Sequence, residues 1–183
     1  MITIVTGIPR SGTSLMMQLF EAANTPICSD AIRQEDENNP KGYYELEAVK
    51  GIVKNNSFLT EAEGKVIKIV APLVNFIDLS LTYRVVFMLR DLDEVVQSQE
   101  KMVGKDQQDQ KEKFKTMYAL HIEKSKQFLM AHHIPFIEVQ HRELIASPEV
   151  ILPKIMEFCG WTVSMETLLN VVDPSLYRNR VSK

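Results

Sequence analysis

Cysteine is scarce in this chain of 183 residues: Cys28 and Cys159 are the only two. That is too few for a disulfide scaffold, and no Cys/His grouping has the spacing of a zinc site. Both read as reduced, packed thiols. Long apolar runs are missing as well, since no stretch approaches the roughly 20 residues of a membrane span. There is no basic excess of the kind a nucleic-acid surface carries: 21 Lys and Arg stand against 24 Asp and Glu, a formal net charge of -3. Internal repeats and low-complexity tracts are lacking. The most polar stretch, VGKDQQDQKEKFK (103–115), reads as a solvated helix start or surface loop rather than a domain linker. Because the first strand-like run begins at Ile2, no room is left for a secretory leader, and the expectation is a cytoplasmic protein.

What is present is the composition of a soluble globular chain, 45% hydrophobic and 25% charged. Its length suffices for one self-supporting core, so residues 1–183 are expected to form a single domain. Short apolar or β-branched runs occur at ITIVT (2–6), KVIKIV (65–70), RVVFML (84–89) and PFIEV (135–139), each followed by a segment of helical character. That alternation predicts an α/β fold of three layers, a central parallel sheet flanked by helices. Helices are expected at 12–23, 45–56, 93–103, 110–132, 148–159 and 164–171. In the longest, Phe114, Met117, Tyr118, His121, Ile122, Ser125, Phe128 and Leu129 recur at three- and four-residue intervals and form one packing face.

The segment GIPRSGTSLMMQLFEAAN (7–24) joins the first strand run to the first helix. A glycine-rich turn in that position points backbone N–H groups into one concavity, and the helix N-terminus adds partial positive charge, so the fold is P-loop-like and binds an anion there. In the nucleotide-hydrolysing pattern G-x-x-x-x-G-K-[ST] a lysine follows the second glycine. Here Gly7 and Gly12 keep the spacing, but Thr13 stands at the lysine position and Ser14 follows; Arg10 supplies the charge instead. At RVVFMLRDLDEVVQSQ (84–99) a kinase or ATPase would end the strand with an acidic residue to help hold Mg²⁺. This strand ends with Arg90, and Asp91 comes one place late. A cation at the carboxyl edge of a parallel sheet fits an anion contact, although a salt-bridged strand end fits the spacing equally well. Asp91 or Asp93 can cap the next helix, and Ser98 falls early enough in it to share a phosphate with Arg90.

Taken together, the loop and the Arg90/Ser98 pair resemble the sulfotransferases that use 3′-phosphoadenosine 5′-phosphosulfate, PAPS. NNPKGYYELE (38–47), HRELIASPEVILPKIMEFCGW (141–161) and DPSLYRNR (173–180) are similar to the middle, C-terminal and closing segments of bacterial members. The resemblance implies donor contacts from Pro9, Arg10, Ser11, Gly12, Thr13 and Ser14 to the 5′-phosphosulfate. It implies contacts from Arg90 and Ser98 to the 3′-phosphate, joined by one of Arg178 and Arg180. Where the cytosolic small-molecule branch carries K-T-H-L-P, this chain reads KIVAP (68–72): Lys68 and Pro72 are kept, but Val70 replaces the catalytic histidine. Leu15 stands where that branch often stacks a tryptophan on the adenine.

The implied activity is transfer of a sulfuryl group from PAPS to a hydroxyl or amine of a small-molecule, sugar or lipid acceptor, with 3′,5′-ADP released and no metal needed. Such a transfer moves less negative charge than phosphoryl transfer and calls for in-line positioning and cations at the sulfuryl oxygens. Arg10 and Lys68 are the expected cations. Glu45, which the resemblance places at the start of a helix, is the first candidate for the base, followed by Glu35, Asp36 and Glu37. His121 and His141 are expected to pack, and Trp161 to close the core beside the C-terminal helix. Two other readings stand beside the sulfotransferase: a small P-loop kinase with Asp91 on the metal, and a protein that binds PAP or PAPS without turnover.

Overall fold

The computed structural model describes residues 1–30, 32, 42–103 and 110–177. Five parallel strands, β1 (Ile2–Thr6), β2 (Ile27–Cys28), β3 (Val66–Lys68), β4 (Tyr83–Leu89) and β5 (Phe136–Gln140), form one sheet in the order β2-β3-β1-β4-β5. Its register pairs Val5 with Lys68 on one side and with Val86 on the other. The helices are α1 (Thr13–Ala22), α2 (Leu92–Val103), α3 (Lys111–Ala131), α4 (His141–Ala146), α5 (Pro148–Cys159) and α6 (Met165–Leu169).

Successive strand residues point to opposite faces, and both faces are covered. Ile2, Ile4, Ile67, Val85 and Phe87 pack with Val95 and Val96 of α2 and Tyr118 and Leu129 of α3. Val5, Val66, Val86 and Met88 pack with Met16, Met17 and Phe20 of α1, Leu144 of α4, Leu152 and Ile155 of α5 and Leu168 of α6. Double-sided burial is why β1 and β4 read as near-continuous apolar runs without alternation. Each fully buried Ile, Val or Phe adds about 1.5–3 kcal/mol relative to exposure. Trp161 meets Phe20 edge-on, ring centroids 4.7 Å apart, within the second of these cores.

The helix expected over 45–56 is not there. Glu45 lies outside any helix or strand, followed by two 3₁₀ turns at Glu47–Gly51 and Ser57–Ala62. Leu46, Val49 and Ile52 face the core at intervals of three, a spacing that a 3₁₀ turn of 3.0 residues satisfies as well as an α-helix does. Among the strands and α-helices of the described residues, the two-residue strand β2 and the short helix α4 were not expected from the sequence. Among the described residues no helix is long and apolar enough to cross a membrane.

Candidate active site

β1 lies between β3 and β4, and the sequence motifs sit where these three strands end. From β1 the chain turns through Gly7 to Gly12 and enters α1 at Thr13. Gly7 has φ 147°, and a Cβ there would stand 2.5 Å from the Met88 carbonyl oxygen of β4 and 2.5 Å from Ser11 Oγ. Gly12, at φ 98°, immediately precedes α1, and a Cβ on it would collide with the ring of His141. Only glycine fits either place. Between them Arg10 adopts φ 70°, a left-handed conformation that costs a non-glycine residue about 1–2 kcal/mol.

Two contacts hold that conformation. Arg10 Nε donates to Ser98 Oγ of α2 at 2.9 Å, and one terminal nitrogen of Arg90 donates to the Arg10 carbonyl at 3.1 Å. The phosphate loop, the end of β4 and the first turns of α2 therefore meet at one point. Arg90 also donates through Nε to Glu94 Oε2 at 2.9 Å, and its side chain is only 8% exposed. Arg90 is thus ion-paired, the salt-bridged arrangement that its place at a strand end allowed, and it also lies against the loop. Asp91 is the residue that caps α2, its Oδ1 accepting from the backbone N–H of Asp93 at 2.9 Å and of Glu94 at 3.4 Å. Asp93 pairs instead with Lys111 and Lys115 of α3 at 3.0 and 3.2 Å, and these partners hold its carboxyl below the usual range, Lys111 foremost.

On the other side of β1, Lys68 ends β3 with its side chain 6% exposed. Its ammonium donates to the Tyr43 carbonyl at 2.8 Å and to Ser14 Oγ at 3.3 Å, and it lies 3.5 Å from Glu45 Oε1. Lys68 thus ties the first turn of α1 to the Tyr43–Glu45 segment. Glu45, 28% exposed at its side chain, is placed beside that cation by a loop segment rather than by a helix start. Within the loop, Pro9 is exposed, Thr13 is buried, and Ser11 Oγ is buried without a hydrogen-bond partner among the described residues.

His141, the first residue of α4, backs Gly12 and meets the Tyr177 ring edge-on at 5.1 Å. Burial first, and then the Arg90 charge, lower its pKa from 6.5 to about 3, so it packs as a neutral ring.

Arg10, Ser14, Lys68, Glu45, Arg90 and Ser98 are accordingly brought together by three neighbouring strand ends. Arg178 and Arg180, and the alternative carboxylates Glu35, Asp36 and Glu37, lie outside the described residues. Sequence reasoning missed two members of the cluster. Glu94 was not singled out for the site, because its partner Arg90 precedes the helix on which Glu94 sits and the pair is made only once β4 leads into α2. Tyr177, whose hydroxyl donates to Glu94, had no periodicity to mark it.

This arrangement defines an α/β protein of the P-loop-like kind, and comparison with solved structures narrows the fold. The sulfotransferase domain of the olefin synthase of Synechococcus PCC 7002 superposes with a TM-score of 0.56 at 14% identity, over 99% of this chain and 88% of that one. Sulfotransferase STF9 from Mycobacterium avium gives 0.55 at 13% identity, over 93% of this chain and 66% of that one. Retinol dehydratase, in complex with androsterone and the inactive cofactor PAP, gives 0.55 at 17% identity, over 96% of this chain and 64% of that one. The chain has the sulfotransferase fold, and it spans just under two thirds of the length of the last two proteins. No protein-family model matches the sequence, and no curated protein sequence matches it.

Proposed function

We propose that this protein transfers the sulfuryl group of PAPS to a hydroxyl or amine of an acceptor and releases 3′,5′-ADP. The observation that carries the reading is the Arg10–Ser98 bond together with the Arg90–Arg10 carbonyl bond. They join a lysine-free glycine loop directly to the arginine that follows β4, which supports a ligand that engages both. Arg90 offers a planar fork to the 3′-phosphate, with Ser98 beside it. The loop, with Thr13, Ser14 and Arg10, takes the 5′-phosphosulfate at the positive end of α1.

In the reaction the bond from sulfur to the bridging phosphate oxygen breaks as the acceptor oxygen or nitrogen bonds to sulfur from the opposite side. Lys68 and Arg10 neutralise charge on the bridging and equatorial oxygens. Glu45, beside Lys68, takes the acceptor proton. No metal is assigned a part, because Asp91, the carboxylate a kinase would place on Mg²⁺, is engaged by backbone N–H groups of α2. The reading treats residues 1–183 as a single domain acting in the cytoplasm on a small-molecule, sugar or lipid acceptor, with Arg178 or Arg180 adding charge at the 3′-phosphate.

Thermal shift and titration calorimetry with 3′,5′-ADP, PAPS, 5′-AMP and ATP·Mg²⁺ test the donor. The 3′-phosphorylated nucleotides should bind far more tightly without Mg²⁺. Arg90→Ala should remove about 2–4 kcal/mol of that preference. Equal stabilisation by ATP·Mg²⁺ would sink the reading in favour of a kinase. Radiolabelled PAPS with a panel of acceptors tests turnover, and donor binding with no transfer to any acceptor would leave a PAP or PAPS binder.

A further inference from the structure

Tyr177 is separated from Glu94 by 83 residues, yet its hydroxyl lies 2.6 and 2.8 Å from the two Glu94 carboxylate oxygens. Both residues are buried, Glu94 2% and Tyr177 8% exposed. The same carboxylate receives Arg90 Nε at 2.9 Å, and the Arg90 guanidinium carbon stands 5.3 Å from the centre of the Tyr177 ring. The ring also meets His141, which backs Gly12 of the loop. A buried carboxylate next to an anion-binding arginine repels the ligand and is costly unless well partnered, so its place here calls for a reason. Tyr177, like any tyrosine, is a donor at physiological pH, and burial first and then Glu94 push its pKa further up, to about 12.

We propose that Tyr177 is a positioning residue for nucleotide recognition. Its hydroxyl fixes the Glu94 carboxylate, Glu94 fixes the plane of the Arg90 guanidinium, and Arg90 in turn holds the Arg10 carbonyl of the loop. The inference rests on the donor reading above, since it takes a 3′-phosphate as the ligand of Arg90. Two effects follow from loss of the hydroxyl. The guanidinium fork, whose bidentate geometry demands a fixed plane, becomes free to swing. The carboxylate, short of one donor, turns further onto Arg90 and competes with the phosphate for the same N–H groups.

Titration calorimetry of wild type, Tyr177→Phe and Glu94→Gln with 3′,5′-ADP and with 5′-AMP tests this, because 5′-AMP lacks the phosphate in question. Tyr177→Phe keeps the ring against Arg90 and His141 and removes one oxygen. Its affinity for 3′,5′-ADP should fall about tenfold, the scale of one hydrogen bond to a charged group, while that for 5′-AMP changes less than about twofold. Glu94→Gln should lower the same ratio. Adding Tyr177→Phe to Arg90→Ala should weaken 3′,5′-ADP binding no further, as expected of a residue that acts through another. In turnover, the KM for PAPS should rise with kcat nearly unchanged. Unchanged 3′,5′-ADP affinity in Tyr177→Phe overturns the inference, and so does an equal loss for both nucleotides, the mark of a merely structural tyrosine. A wild type that fails to prefer 3′,5′-ADP over 5′-AMP overturns the donor reading, and this inference with it, a result separate from the other two.

Discussion

At the level of single residues, the loop's requirement for glycine is the most direct point of attack. Gly12 sits at φ 98° with the His141 ring against it. Gly12→Ala therefore meets both left-handed backbone strain, about 1–2 kcal/mol, and an overpacked contact, about 1–3 kcal/mol. Denaturant unfolding should show a loss in the range of their sum, and nucleotide binding should weaken because the loop and α1 must shift. A variant as stable as wild type would mean that His141 yields easily. Glu45→Gln is the corresponding test of chemistry. If Glu45 is the base, kcat should drop by about 10²–10⁴ with 3′,5′-ADP affinity nearly unchanged. Wild-type turnover would reduce Glu45 to a partner of Lys68 and move attention to Glu35, Asp36 and Glu37. In the sequence the spacing of Gly7 and Gly12 marked the loop, whereas Arg90 and the serine eight residues later were picked out as a pair by the resemblance to sulfotransferases. The Lys68–Ser14 contact needs β3 beside β1, and no local pattern announces which strands are neighbours. Tyr177 reaches Glu94 only through the folded chain, so its role was invisible.

Among elements, α2 presents Glu94 to Arg90 and Ser98 to Arg10 within its first turns. Its start is held by Asp91. Asp91→Ala should cost about 1 kcal/mol, the usual value of an N-cap, measured by thermal or denaturant unfolding. It should also weaken 3′,5′-ADP binding, since fraying of this turn moves both side chains. Retained Mg²⁺-free binding with a lowered melting temperature would limit Asp91 to its cap. β1, β3 and β4 were readable because double-sided burial makes them dense in Ile, Val and Phe, and β5, partly exposed at the sheet edge, by its Phe136, Ile137 and Val139. β2 has only Ile27 and Cys28, below any useful window. Helix α4 begins directly after β5 and is cut from α5 by Ser147, with Pro148 opening α5, so its six residues never complete a periodic signal. At 45–56 the failure was one of period, since an apolar residue at every third place does not distinguish a 3₁₀ turn from an α-helix.

On the scale of the whole molecule, the sheet order sets which charges can meet. Because β1 is central, its loop is flanked by Lys68 from β3 and Arg90 from β4, and α4, entered directly from β5, brings His141 beneath it. That burial gives stability a pH dependence with a definite sign. The folded protein holds His141 neutral until about pH 3, whereas in an unfolded chain the ring takes up a proton near its ordinary value of 6.5. Between those values the unfolded state binds more protons, so stability falls as pH decreases, by up to about 1.4 kcal/mol per pH unit from this group. Above about pH 6.5 the ring is neutral in both states and the effect vanishes. Other groups titrate over the same range, so the contribution is read as a difference between wild type and His141→Phe, which keeps an aromatic ring against Tyr177. From pH 7 to pH 5 wild type should lose about 2 kcal/mol relative to the variant, which follows from 1.4 kcal/mol per unit below pH 6.5. Denaturant unfolding at pH 7.5, 6.0 and 5.0 measures it. A difference that stays constant across this range would mean that the folded protein protonates His141 near the ordinary value, and that the space behind Gly12 accommodates a charged ring beside Arg90.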